Sequence, residues 1–215
     1  MKLALRSQGF AGSLAAAPAL QPAEGDEGTG GASPIASNVL AVAIFIASEV
    51  MLFGGLLSAF MILRAENAQW PPIGQPRLPL LVTALNSLIL FASGWTVIRA
   101  VRAARNGEGD ALNNRLSLTL LLGAVFLFVQ GSEWIRLVHF GLTVSSSVYC
   151  GLFYTLVGIH AVHVMGAVVA LCVVLRRARH GCYMPDDYSG VVACSIYWCF
   201  VVLLWGVIYV TVYLS

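Results

Sequence analysis

The sequence predicts an all-α integral membrane protein, a bundle of five transmembrane helices, and three observations predict it. Five apolar runs are each long enough to cross a bilayer, charges are scarce, and the basic residues gather on alternate connections. Of the 215 residues, 59% are hydrophobic and 10% are charged, against about 25% charged in soluble domains. A chain this apolar cannot cover a water-facing surface, so spans are its unit of organisation. The net charge of +2 carries little information by itself, and no nucleic-acid partner is expected.

Residues 1–37 are rich in Ala, Gly and Pro and have no sustained apolar period. They read as a flexible tail. Lys2 and Arg6 look like the basic start of a signal peptide, yet no apolar core of useful length precedes Pro18 and Pro22, so cleavage is not expected. The transmembrane domain, 38–215, holds runs at Val39–Leu63, Leu78–Ile98, Leu116–Ile135, Val148–Leu175 and Val191–Leu214. A hydrocarbon core takes about 20 residues at about 1.5 Å of rise each. Lipid offers an open backbone no hydrogen-bond partner, which requires helices, and the long uniform runs lack the alternation of a strand barrel. Pro79 is the one breaker in these runs. It falls in the first turn of its helix, where the missing amide proton costs little.

With five spans, the N-terminal tail and the connections after the second and fourth share one side. That side holds Lys2, Arg6, Arg99, Arg102, Arg105, Arg115, Arg176, Arg177 and Arg179, nine of the twelve basic residues, and the other side holds Arg64, Arg77 and Arg136. The excess of positive charge inside predicts a cytoplasmic N-terminus and an external C-terminus. Trp70, Trp134 and Tyr149 fall at expected outer boundaries and Trp95 near an inner one, where aromatic rings anchor to the interface. No internal repeat is visible, which argues against a transporter of two inverted halves.

Cys150, Cys172, Cys182, Cys194 and Cys199 form no C-x-x-C pair. They are expected to be small buried hydrophobes rather than a disulfide framework or a zinc site. Small residues at helical spacing, Gly54 with Ser58, Gly151 with Gly158 and Gly166 with Ala170, are expected to let backbones approach closely, within the bundle or against a larger partner.

Two features could carry chemistry. Glu49 is the eleventh residue of an otherwise uncharged run of 25, which puts it roughly 15 Å deep, at the middle of the bilayer. An ionised carboxylate there costs at least about 2.5 kcal/mol. It must face the bundle interior, find a partner or keep its proton, so a structural hydrogen bond and a proton- or lipid-linked role both remain open. His160 and His163, three apart in the fourth run, share one helix face. Their depth predicts that Glu49 meets His160 across a helix interface. A metal or haem site is not expected, because closing one needs more donors than the spans supply. Nearer the outer end, Glu133 has Arg136 three residues on, which predicts an ion pair at the interface.

These motifs resemble those of subunit III of the haem-copper terminal oxidases, in its five-helix form. SEVMLFGGLLSAF, Ser48 to Phe60, is similar to that family's helix with the buried acid. Trp70, Pro71 and Pro72, then Leu85 and Asn86, resemble its W-P-P and L-N pattern, and Gln130 with Glu133 its Q-x-x-E. LVGIHAVHVMG, Leu156 to Gly166, resembles G-x-H-x-x-H-V-x-x-G, and SIYWCFVVLLW, with Tyr197 and Trp198, resembles its closing helix. The chain departs from the pattern at Cys199 and Val202, where the family usually has His and Asp.

The resemblance implies a non-catalytic subunit of a cytochrome c or quinol oxidase in aerobic respiration. Such a subunit packs beside subunit I and other oxidase subunits, holds structural phospholipid, supports proton uptake and binds no cofactor itself, haem and copper lying on partner subunits. It implies an integral protein of the bacterial inner membrane, with Glu49 as the family's buried acid and His160 and His163 as its histidines. The accessory subunit of a nitric oxide reductase looks similar over the same motifs, and a small proton-coupled transporter using Glu49 is a third reading.

Overall fold

The computed structural model describes residues 34–66, 80–139, 148–183 and 187–213. Trp70, Pro71 and Pro72 lie outside the described residues. The described chain forms five helices, α1 (Pro34–Glu66), α2 (Leu80–Arg105), α3 (Gly109–His139), α4 (Val148–Arg179) and α5 (Ser189–Ile208), and α5 ends in a π-helical turn, Tyr209–Tyr213. All five are long and apolar enough to span a membrane. The protein is an all-α membrane bundle, as the sequence predicts.

The helices overrun the apolar stretches at the basic end. The apolar run of the second span closes at Ile98, but α2 continues to Arg105, and α3 starts at Gly109 rather than at Leu116. Arginines can end a membrane helix in this way because the long side chain lies along apolar surface while its head reaches water, and positive charge is favourable near a helix C-terminus. The connection is then only three residues. Gly107 takes φ 71°, its N–H donates to Ala104 O at 3.1 Å, and the Glu108 N–H donates to Ala103 O at 3.0 Å. That double bond is the Schellman cap, which needs a left-handed residue. The same motif closes α4: Gly181 has φ 68°, with Gly181 N–H donating to Ala178 O and Cys182 N–H to Arg177 O.

In the core, α5 packs against α1, α2 and α4, while α2 lies along α3 and α3 along α4. Trp198 and Trp205 of α5 are the largest fully buried side chains. Each indole finds a hydroxyl on α2: Trp198 Nε1 donates to Ser93 Oγ at 3.0 Å and Trp205 Nε1 to Ser87 Oγ at 2.8 Å. The pairs rise on one helix as they descend on the other, so they fix the register of two antiparallel helices. Asn86, one position before Ser87, donates from Nδ2 to Phe126 O on α3 at 3.1 Å. Further ties join Thr96 to Thr119 at 2.7 Å, Arg115 to Arg99 O at 2.8 Å and Asn38 to Ser189 at 3.0 Å. In a bilayer such bonds add to packing because no hydrophobic force draws helix to helix.

One expectation narrows and another needs correction. Among the described residues, a Cβ added to Gly54, Gly158 or Gly166 meets nothing within 4 Å, so close approach at these positions is left to a partner rather than to the bundle itself. The tight positions are others. A Cβ on Gly123 would lie 2.6 Å from Trp198 Cη2, and one on Gly94 would lie 3.4 Å from Val202 Cγ1. Bulky α5 side chains therefore select the glycines on α2 and α3, and spacing within one helix does not reveal that. The five cysteines are free thiols, but burial holds for Cys150 and Cys194 alone among them: Cys172 and Cys199 are half-buried, and Cys182 is exposed because it follows the Gly181 cap and lies beyond the helix.

Candidate functional site

Glu49 sits on the face of α1 that turns towards α4, and it is 8% exposed. Its Oε2 lies 2.6 Å from Nε2 of His163. The contact has ion-pair distance without the alignment of a directed ring N–H···O bond. The other ring nitrogen, Nδ1 of His163, lies 2.7 Å from the Ile159 carbonyl oxygen. A carbonyl can only accept, so the ring donates from Nδ1 and turns Nε2 to the acid. The imidazole thus gives the buried carboxyl a polar neighbour, which an acid in an apolar run needs.

The partner is thus His163, and the expected contact of Glu49 with His160 is not made. Residues three apart on an α-helix differ by about 60° in direction, enough to send His163 towards α1 and His160 towards α5. His160 instead stacks on Trp205, with ring centroids 5.3 Å apart and planes at 24°. Phe53, one turn beyond Glu49, packs edge-on to both imidazoles, at 6.3 Å from His160 and 5.3 Å from His163. It closes the site on the α1 side.

Glu133 is buried, and its Oε1 accepts from Arg136 NH1 at 3.1 Å. The Arg136 side chain is 70% exposed, so solvent or head groups screen the pair and it contributes little to stability. Gln130, one turn before Glu133, donates to the Tyr213 hydroxyl at 3.3 Å. The wide π-helical turn carries Tyr213 inward against Phe153 and Trp205. Tyr197 lies half-buried between Phe45 and Phe200. At the two departures from the resembled pattern, Val202 fills the notch above Gly94 and Cys199 lines an apolar groove between α2 and α5. Among the described residues no group of three His, Cys, Asp or Glu side chains is placed to hold a metal ion.

Sequence reasoning missed the serines at 87 and 93 as partners of the tryptophans. Ser93 and Trp198 are both fully buried, and a pair of hydroxyls in one apolar run facing a pair of indoles in another was the available signal.

A family model described as cytochrome c oxidase subunit III matches residues 33–215. A probable cytochrome c oxidase subunit 3 from Nocardia farcinica is 36% identical over 172 residues, covering 79% of this chain and 84% of that protein. The cytochrome c oxidase subunit 3 of Synechocystis sp. is 35% identical over 174 residues, 80% of this chain and 73% of its own length. That of Thermostichus vulcanus is 33% identical over 177 residues, 82% and 86% respectively.

Proposed function

We propose, from the premise that the chain belongs to the cytochrome c oxidase subunit III family, that it supports a haem-copper oxygen reductase by stabilising subunit I, binding lipid and assisting proton uptake. It is an integral membrane component of an oxidase complex. In this reading the chain carries no redox centre, and haem and copper reside on partner subunits. Its N-terminus lies in the cytoplasm and its C-terminus outside, in a bacterial inner membrane, as the distribution of arginine favours.

The observation that carries the proton-linked part is the Glu49–His163 contact at 2.6 Å. A carboxyl and an imidazole that share one proton interconvert between a neutral pair and an ion pair without changing net charge, so the proton can shift inside the bilayer at low electrostatic cost. Lipid binding is favoured by the apolar groove lined by Ile98, Val101, Cys199 and Leu203, with Arg102 on its rim. That arrangement suits an acyl chain with an anionic head group.

Mass spectrometry of what accompanies the chain from native membranes tests the assembly. Haem-bearing subunit I is the expected companion, and recovery of the chain alone with its own haem band would overturn the reading. Removing the chain from the purified complex should slow proton uptake and shorten the period of sustained turnover. Unchanged uptake and lifetime would remove the proton-linked role.

A further inference from the structure

Two polar side-chain ends meet at the seam of α1 and α5, and neither is paired. His163 takes Oε2 of Glu49, while Oε1 has no hydrogen-bond partner among the described residues. The hydroxyl of Tyr197, on α5, has none either. Both atoms keep surface that a small molecule can reach, unlike the enclosed Oε2.

Depth brings the two together. Asn38 on α1 donates to Ser189 on α5 at 3.0 Å, which sets the helices level at that point. From there Phe45 and Tyr197 lie about 10 and 12 Å along two parallel helices, and their rings meet with centroids 5.5 Å apart. Glu49 is one turn beyond Phe45. Side chains on an α-helix lean towards its N-terminus, so the carboxyl comes back towards the Tyr197 ring. The charge of Glu49 acts on the phenol across the remaining gap.

The rings around this spot, Phe45, Phe53 and Phe200, offer neither group a bond. A carboxyl oxygen and a hydroxyl left bare in apolar surroundings cost free energy that pairing them recovers. We propose that Tyr197 is a positioning residue for the buried acid: its phenol donates to Glu49 Oε1, on a small rotation of the carboxyl or through one water, and favours the carboxylate. A phenol can donate, and a bond to a charged acceptor is the stronger kind. The acid is then held between a base on α4 and a donor on α5. The titratable groups that face it are His163, with His160 beyond Phe53, and Tyr197. Any bearing on proton uptake rests on the proton-linked reading of Glu49, whereas the bond to its carboxyl does not.

The test labels the intact oxidase complex, in nanodiscs, with a hydrophobic carbodiimide, which reacts with a carboxyl in its protonated form, and follows Glu49 by peptide mass spectrometry across a pH series. Tyr197→Phe keeps the ring between Phe45 and Phe200 and removes only the hydroxyl. The midpoint of Glu49 labelling should rise by about one pH unit, the size expected for losing a bond to a charged group. If that variant fails to assemble, Phe45→Leu, which frees the phenol on the α1 side, should move the midpoint in the same direction by less. Damage to packing alone would raise labelling at every pH and leave the midpoint in place. That result, or a midpoint that falls, in whichever variant assembles would overturn the proposal. Failure of the proton-linked reading would show separately, as wild-type proton uptake in Glu49→Gln.

Discussion

Replacing His163 by Leu removes the imidazole that lies 2.6 Å from Glu49 Oε2 and takes the base away from an acid that is 8% exposed. The carboxyl then either keeps its own proton and lacks an acceptor, or ionises at a cost of at least about 2.5 kcal/mol. Unpaired buried polar groups cost about 1–3 kcal/mol, so His163→Leu should lower stability by about 2–3 kcal/mol. Glu49→Leu should cost less, about 1–2 kcal/mol, because His163 keeps its bond to the Ile159 carbonyl and only one nitrogen loses its neighbour. The double variant leaves an apolar contact in place of the pair, which in other proteins is near neutral. The cycle should therefore show a coupling of about 3–5 kcal/mol, at or above the top of the range usual for touching residues. Denaturant titration of the complex in mixed micelles, followed by tryptophan fluorescence, measures all three variants. Additivity to within about 0.3–0.5 kcal/mol would refute the claim that Glu49 and His163 are paired.

Gly123→Ala should destabilise the bundle by about 1–3 kcal/mol, typical of overpacking, since the new Cβ would lie 2.6 Å from Trp198 Cη2; a smaller Trp198→Phe change in the same background should restore part of the loss in a thermal melt. Gly107→Ala should cost about 1 kcal/mol, the price of a left-handed conformation in a residue with a Cβ, because Gly107 has φ 71°; an unchanged melting temperature would contradict the Schellman cap. Cys182, exposed beyond α4, should react with a membrane-impermeant maleimide in inside-out vesicles but not in intact cells, and labelling of intact cells would reverse the assigned orientation. Arg136→Gln should shift stability by less than about 1 kcal/mol, because the Arg136 side chain is 70% exposed; a larger loss in the same titration would show that Glu133 depends on its cation.

The spans were legible because a helix must cross the hydrocarbon on its own bonds, and that leaves a long apolar run in the chain. Their ends were not, since α2 and α3 continue past Ile98 and before Leu116 on arginine side chains that hydropathy counts as a boundary. Glu49 and the two histidines stood out as polar groups in apolar runs, and the structure brings the acid and one of them together. Which histidine meets the acid depends on how α4 is rotated about its axis, and the packing of His160 on Trp205 decides that. The tight glycine contacts within the bundle were not legible for a related reason. Gly123 is small because of Trp198, 75 positions later, and no pattern within α3 encodes that neighbour.

The two indole-to-hydroxyl bonds joining α5 to α2 come from the last of the described helices to leave the ribosome. Until that segment inserts, Ser87 and Ser93 lack their indoles, His160 has no ring to lie on, and Gln130 has no phenol. Four threaded helices are therefore an unfinished object, and completion waits on α5. A premature stop after α4 would yield a chain that sits in the bilayer yet never locks, a natural substrate for membrane proteolysis before it reaches an oxidase.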